Sequence, residues 1–261
     1  IAQAAHTYKT VGNMNEHQLT IGETTWGGRE ALWDTVGIDY GSLIYVTLQR
    51  CKTAKEAILH MVTLVEQYGY ASEGESFSIG DPNEVWLMDL IGKGAGHKGA
   101  NWVAVRIPDD CIAAHANQAR ITTIPMAGAK SAKLTWTEQG KKKSVTYKTS
   151  KDGQWMWSKD LIDFAREKGY FEGKDADFSY QAAYCPFDFS GLFVCEARVW
   201  SFFRHFSDEM DPYFDFATGK TFVETNGQDA GTHMPLWIKP NRPVSVRDIQ
   251  HCMRDQYEGT P

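Results

Sequence analysis

Residues 75–94, ESFSIGDPNEVWLMDLIGKG, decide the fold class of this chain. Apolar and polar side chains alternate up to Ile79, and a second, more apolar run extends from Val85 to Ile91. The Asp-Pro-Asn sequence between the two runs is typical of a turn. Two such runs joined by a short turn predict an antiparallel β-hairpin. Residues 101–121, NWVAVRIPDDCIAAHANQARI, predict two more strands after it.

Two helices are predicted before these strands. The firmer one covers residues 53–69, TAKEAILHMVTLVEQYG, which begins with the capping-box spacing T-x-x-E and ends on a glycine. Residues 27–52 predict an earlier helix in two pieces, broken around residues 37–41, and residues 17–25 predict a strand before it. Helices followed by four successive strands predict an α+β fold, in which an antiparallel sheet is layered with helices.

The second half of the chain carries a polar insertion and further helices. Residues 122–158 are rich in lysine and contain two alternating runs around EQGKKK, which predict a β-hairpin inserted on the surface. A solvated hairpin is the simpler interpretation, and a docking site for an acidic partner is the alternative. Three helices are predicted, over residues 158–171 with Ser158 as N-cap, 191–210 and 245–257. We expect a single domain over residues 1–261.

Composition argues against several classes of protein. The formal net charge of −6 and the pI near 5.8 argue against a nucleic-acid-binding face, which would be basic. No apolar run reaches the roughly 18 residues that a membrane span needs, and no signal-peptide pattern is visible. The five cysteines form no C-x-x-C pair, which favours reduced, mostly buried thiols over a disulfide framework.

Common cofactor and catalytic motifs are missing or out of context. Residues 94–99, GAGHKG, match G-x-G-x-x-G, but a strand pattern follows where dinucleotide binding requires a helix. Neither G-x-S-x-G nor H-E-x-x-H occurs, and none of the eight dispersed histidines forms an i, i+4 pair. We therefore expect no cofactor and no metal site.

Two asparagines stand beside predicted strands. Asn15 lies in NMNEHQLTIGET (residues 13–24), and Asn117 lies in AAHANQARI (residues 113–121). An asparagine side chain that points into a cleft can donate an N–H to the oxygen on which charge develops during acyl transfer. The alternative is that each amide bonds to nearby backbone at a strand end, and the pattern alone favours this alternative.

The segment NMNEHQLTIGETT resembles the M-N-E-x-G-[LV]-x-[IM]-[GS]-E segment of the dipeptidase A and secernin family. Members of this family are cysteine-type N-terminal-nucleophile (Ntn) hydrolases. Other segments agree in order, including DYGSLIYVTLQRCKTAKEAI, WVAVRIPDDCIAAHANQARI, CEARVWSFFRHF and MPLWIKP. The resemblance implies a four-layer αββα sandwich and hydrolysis of the amide bond of dipeptides. In this family a processed N-terminal cysteine attacks the carbonyl carbon, and its own α-amino group is the general base.

The resemblance also implies three catalytic-site residues. Asn15 matches the asparagine of the M-N-E segment, whose side chain helps to form the oxyanion hole. Asn117 matches a second asparagine, which lies against the substrate. Arg198, in CEARVW, matches an arginine that supports the surroundings of the nucleophile, and a salt bridge on a helix surface is its alternative role.

One feature of the family has no match here. Its nucleophilic cysteine precedes the M-N-E segment by many tens of residues, and none of the five cysteines of this chain is N-terminal. We therefore expect the chain to be a fragment whose nucleophile lies outside it, and which is inactive alone. Two other functions stay open: an inactive relative that serves as a binding or interaction module, and an acylase for bile salts or penicillin V. A location in the bacterial cytoplasm or periplasm and a homo-oligomeric assembly also stay open.

Overall fold

The computed structural model describes residues 1–256. In this range the β-strands are β1 Thr10–Val11, β2 Met14–Asn15, β3 Thr20–Trp26, β4 Gly74–Gly80, β5 Val85–Gly92, β6 Ala100–Arg106, β7 Ile112–Ala113, β8 Lys130–Glu138, β9 Lys141–Thr149, β10 Trp155–Ser158 and β11 Trp237–Ile238. The α-helices are α1 Tyr40–Leu48, α2 Ala54–Tyr68, α3 Leu161–Glu167, α4 Tyr180–Tyr184, α5 Ala197–Arg204, α6 Phe214–Ala217, α7 Lys220–Glu224 and α8 Val246–Cys252. Across residues 1–256, no helix has both the length and the apolar character that a membrane crossing requires.

The chain divides into two compact units. The sheet unit consists of Ile1–Arg106 and Ala119–Cys185, and the helical unit consists of Ile107–Gln118 and the chain from Pro186 onward. Each unit therefore combines segments that are distant in sequence. The expectation of a single domain over residues 1–261 stays a prediction.

A nine-stranded sheet forms the centre of the sheet unit, in the order β1-β2-β3-β4-β5-β6-β10-β9-β8. Every neighbouring pair is antiparallel. The predicted hairpin is confirmed as β4 and β5, and the carboxylate of Asp81 shapes its turn by accepting the N–H groups of Asn83 and Glu84. The chain is thus a mixed α and β protein built on a large antiparallel sheet, as the alternating runs predicted.

Helices α1 and α2 cover one face of this sheet. Alternate strand residues such as Ile21, Phe77 and Met88 form one buried cluster with the apolar stripe of α2. Because each such side chain contributes about 1.5–3 kcal/mol when it leaves water, this layer is the main source of stability in the unit. The capping box predicted for α2 is present, with Thr53 and Glu56 exchanging bonds with each other's backbone.

The opposite face of the sheet is also buried, although several of its side chains are polar. Ser76, Asp89 and Asn101 are all inaccessible to solvent. Residues 119–122 and helix α4 pack there, and the hydroxyl of Tyr180 donates to the carbonyl oxygen of Asn101 at 3.0 Å. Buried polar groups are stabilised by hydrogen bonds, and the segments that cover this face supply several of them.

The lysine-rich insertion extends the main sheet. Strands β8 and β9 form the predicted hairpin, and its turn has positive φ at both Gln139 and Gly140, the pattern of a type I′ turn. Strand β10 pairs with both β6 and β9, which joins the hairpin to the sheet. The prediction of Ser158 as a helix N-cap is wrong: Ser158 is the last residue of β10, and α3 begins at Leu161. Strand pairing takes precedence there over the local capping preference.

Short helices packed around aromatic side chains make up most of the helical unit, with β7 and β11 as a small two-stranded sheet. Residues 191–210, predicted as one long helix, instead form a π-helix at Gly191–Glu196 that leads into α5. The capping box predicted at Ser245 and Asp248 is present at the start of α8. The helix ends at Cys252, before the predicted end, and Tyr257, the last residue of that prediction, lies outside the described residues.

Candidate active site

Asn15 is buried in the sheet unit, and its side chain bonds entirely to backbone groups. The amide nitrogen donates to the carbonyl oxygens of Leu48 and Cys51, both at 2.8 Å. The amide oxygen accepts the N–H of His17 at 3.0 Å and of Leu19 at 3.2 Å. In this arrangement both amide hydrogens already bond to backbone carbonyl oxygens. An oxyanion could accept one of these hydrogens only by displacing the carbonyl oxygen that now accepts it.

Asn117 differs in its surroundings. It is exposed, and its backbone has φ +52°, in the left-handed region that asparagine tolerates better than most residues. Its amide oxygen accepts a bond from Nη2 of Arg198 at 2.9 Å. Because a guanidinium group can only donate, this contact identifies the oxygen end of the amide and leaves the nitrogen as its donor end.

Arg198 is the second residue of α5, and it holds the side-chain amide of Asn117. Its Nε donates to the carbonyl oxygen of Val194 at 2.8 Å, and its Nη2 also lies 3.4 Å from the carbonyl oxygen of Ala116. Val194 belongs to the π-helix that precedes α5, and π-helical turns occur often at functional sites. The helical unit therefore brings Asn117 and Arg198 together, whereas Asn15 belongs to the sheet unit.

The cysteines have the character of structural thiols. Burial, with the neighbouring charge of Glu56, raises the pKa of the Cys51 thiol to about 12. Burial is also the main cause that raises the pKa of Cys111, Cys195 and Cys252. A thiol needs a lowered pKa to act as a nucleophile at neutral pH, so these four environments oppose that role.

Two buried carboxyl groups on the sheet were not anticipated from the sequence. Burial raises the pKa of Asp89 to about 6, and burial together with neighbouring glutamates raises that of Glu75 to about 8. The available signal for Asp89 was its position inside the apolar run VWLMDLI, where a carboxylate needs internal donors. Among residues 1–256, no group of three or more His, Cys, Asp or Glu side chains is arranged to hold a metal ion.

The whole chain, residues 1–261, matches the sequence profile described as peptidase family C69. The chain belongs to this family. The chain is also similar to a probable dipeptidase of Salmonella dublin, which is 24% identical over 247 residues, or 93% of this chain and 47% of the relative.

Other relatives that this C69 chain resembles carry similar names. A probable dipeptidase of Latilactobacillus sakei is 23% identical over 86% of this chain and 38% of its own length. A dipeptidase of Bifidobacterium longum is 24% identical over 86% of this chain and 36% of its own length. The chain thus spans less than half the length of these relatives.

Proposed function

We propose that the full-length protein is a cysteine-type dipeptidase that hydrolyses the peptide bond of dipeptides. Membership of peptidase family C69 and the names of the relatives support the reaction class. The structural observation that carries the proposal is the Asn117 amide, which Arg198 holds by its oxygen at 2.9 Å. An amide oriented in this way can donate its N–H to the carbonyl oxygen of a substrate as that oxygen becomes negative.

The nucleophile in this proposal is a cysteine outside residues 1–261. Its thiolate attacks the carbonyl carbon, and its α-amino group, which titrates near pH 8, accepts the thiol proton and returns it to the leaving amine. The raised pKa values of the thiols within the chain support an external nucleophile. Asn117 stabilises the tetrahedral intermediate, and Arg198 keeps the amide in position. We also propose an αββα sandwich for the complete domain, and the packing of α1 and α2 on one face of the nine-stranded sheet supports it.

Asn15 belongs to this proposal under one condition. It can contribute to the oxyanion hole only if its bond to Leu48 or to Cys51 is exchanged for a bond to the substrate. If Asn15 only stabilises the backbone, no exchange of bonds is needed. Substitution at this position separates the two roles, because loss of the backbone bonds lowers stability whereas loss of an oxyanion donor lowers kcat.

The test is a comparison of substrate classes with the full-length protein. We expect release of free amino acids from dipeptides, and loss of this activity after alkylation with iodoacetamide. Peptide mapping by mass spectrometry should place the reactive alkylated cysteine outside residues 1–261. Hydrolysis of conjugated bile salts or penicillin V in place of dipeptides would favour an acylase, and no hydrolysis of any amide would favour a binding module. Either result would contradict the proposal.

A further inference from the structure

The sheet unit contains a partly enclosed cavity of about 930 Å³, bordered by α2, β8 and the residues that follow α1. We call it the α2–β8 cavity. Sites that bind small molecules usually have volumes of roughly 300–1,000 Å³ and mainly apolar walls. Leu59 and Leu64 of α2 and Leu134 and Trp136 of β8 supply apolar side chains to these walls. The cavity thus has the size and the lining of a small-molecule site.

One wall of the α2–β8 cavity belongs to the lysine-rich insertion. Leu134 and Trp136 are two residues apart on β8, so their side chains lie on the same face of the strand. Leu134 packs against the buried cluster that includes the apolar stripe of α2. Lys133, on the other face of the strand, is exposed. The inserted hairpin therefore turns an apolar face to the cavity and a lysine to solvent.

Three side chains that border this cavity carry a buried nitrogen with no hydrogen-bond partner among residues 1–256. These atoms are Nε of Arg50, Nε2 of His60 and Nε1 of Trp136. A buried polar atom without a partner costs free energy, and such atoms are uncommon in folded proteins. An acceptor that enters the cavity can satisfy them when the side chains turn towards it, and rotamer changes of this kind are common on binding.

The charge beside His60 is positive. Nη2 of Arg50 donates to the carbonyl oxygen of Ala2 at 2.8 Å, and within residues 1–256 no carboxylate forms an ion pair with this guanidinium. Burial, together with the charge of Arg50, lowers the pKa of His60 to about 4, so its imidazole is neutral at pH 7. Guanidinium and indole N–H groups can only donate, and a neutral imidazole donates from one of its nitrogens. These groups suit an acceptor, and the charge of Arg50 favours an anionic one.

The other charged side chains limit how much negative charge the ligand can carry. Two cationic and two anionic side chains border the cavity, namely Arg50, Lys52, Glu56 and Glu138. One carboxylate oxygen of Glu56 already accepts the N–H groups of Lys52 and Thr53 at the start of α2. Because like charges repel, a polyanion such as a nucleotide fits poorly here. A single anionic group on an otherwise apolar molecule fits better.

We propose that the α2–β8 cavity binds a small carboxylic acid with an apolar body. The carboxylate accepts hydrogen bonds from Arg50, His60 and Trp136, and the apolar body packs against the leucine side chains of α2 and β8. This inference does not rest on the proposed function, because it uses no residue of the proposed reaction.

Three probes of the full-length protein test the inference by isothermal titration calorimetry at pH 7.5. The first, 3-phenylpropanoate, has both the carboxylate and an apolar body. The second, 3-phenylpropanamide, keeps the shape without the charge, and the third, acetate, keeps the charge without the apolar body. We expect 3-phenylpropanoate to bind at least about tenfold more tightly than either of the others, since each lacks one of the two contacts.

A charge variant and its matched control locate the site. Arg50→Gln should weaken the binding of 3-phenylpropanoate about tenfold or more, because it removes the charge that the carboxylate meets. Lys55→Gln removes a positive charge from α2, but Lys55 is exposed and does not border the cavity, so the affinity should change about twofold or less.

The ring signals of His60 give a readout on the wild-type protein. A carboxylate bound beside the imidazole should raise the pKa of His60 from about 4, and NMR titration of selectively labelled histidine measures the change. The ring signals of His251, in the helical unit, should not respond to the probe.

Equal affinities for the acid and the amide, or equal losses in Arg50→Gln and Lys55→Gln, would overturn the inference. Failure of 3-phenylpropanoate to bind, or binding that leaves the pKa of His60 unchanged, would overturn it as well. If Arg50→Gln does not fold, the probe comparison and the His60 signals of the wild type decide. Dipeptide hydrolysis is measured separately, and its absence would overturn the proposed function while leaving this inference intact.

Discussion

The side-chain amide of Asn15 donates to the carbonyl oxygen of Cys51 at 2.8 Å and joins two segments that are 36 residues apart in sequence. The same nitrogen reaches the carbonyl oxygen of Leu48, the last residue of α1, which is one of the acceptors that a helix end leaves without an internal partner. The amide oxygen meanwhile closes a tight turn over His17 and Leu19, with φ +62° at Gln18. Asn15 thus caps a helix and shapes a turn at the same time.

Asn15→Ala should lower the free energy of unfolding by about 2–4 kcal/mol, because it leaves buried carbonyl and N–H groups without partners. Denaturant unfolding monitored by tryptophan fluorescence measures this loss. Asn13→Ala is the control: the side chain of Asn13 donates to the carbonyl oxygen of Ile21 and the residue is exposed, so the loss should be about 1 kcal/mol or less. Unchanged stability in Asn15→Ala together with a kcat about a hundredfold lower would favour the oxyanion role instead.

Asn117→Ala should lower kcat for dipeptides about a hundredfold in the full-length protein, with a small change in KM and in stability. An exposed amide contributes little to folding, whereas an oxyanion donor acts mainly in the transition state. Steady-state kinetics and denaturant unfolding of the same preparations measure both quantities. Asn226→Ala is the matched control, since Asn226 is also exposed and has φ +53° in the helical unit. Equal kcat values for the two variants would remove Asn117 from the reaction.

Arg198→Lys keeps the positive charge but loses the planar group that reaches Val194, Ala116 and Asn117 together. We expect kcat to fall about tenfold, because the Asn117 amide can then rotate away from the orientation that the guanidinium imposes. The measurement is a double-mutant cycle with Asn117→Ala. If Arg198 acts through Asn117, Arg198→Lys has no further effect on kcat in the Asn117→Ala background. Fully additive effects would show that Arg198 acts independently.

Elements that depend on nearby residues were predictable from the sequence. The hairpin of β4 and β5 is specified by alternation and its turn, and α2 by a capping box and an apolar stripe, all within about twenty residues. Ser158 shows the limit of this reasoning. Its spacing suits a helix cap, but Ser158 pairs with Tyr147 of β9, at the end of a strand whose earlier residues pair with β6, about fifty residues away.

The candidate site was predictable only in part. The resemblance identified Asn117 and Arg198, and the structure brings them within 2.9 Å of each other. The bonds of Asn15 to Leu48 and Cys51, by contrast, depend on how α1 ends, which the M-N-E segment does not encode. Asp89 was overlooked because its partners, the N–H groups of residues 120 and 121, are about thirty positions away.

Glu75 makes the stability of the sheet unit dependent on pH. It is fully buried on β4, where one oxygen accepts the hydroxyl of Thr25 at 2.7 Å. Burial and the charges of Glu23 and Glu73 raise its pKa from 4.5 to about 8. Because the folded state holds this proton more tightly than the unfolded state, its contribution is complete below pH 4.5 and is lost as the pH rises to about 8.

Glu75→Gln should therefore be more stable than wild type at pH 8 by about 2 kcal/mol, because glutamine keeps a neutral group in this place at every pH. At pH 4.5 the two proteins should differ little, since wild-type Glu75 is then protonated in the folded state. Denaturant unfolding at both pH values measures the difference. Glu30→Gln is the control, because Glu30 is exposed at the start of a short 3₁₀ helix. A Glu75→Gln protein that is less stable than wild type at pH 8 would show that the carboxylate is ionised and well solvated there.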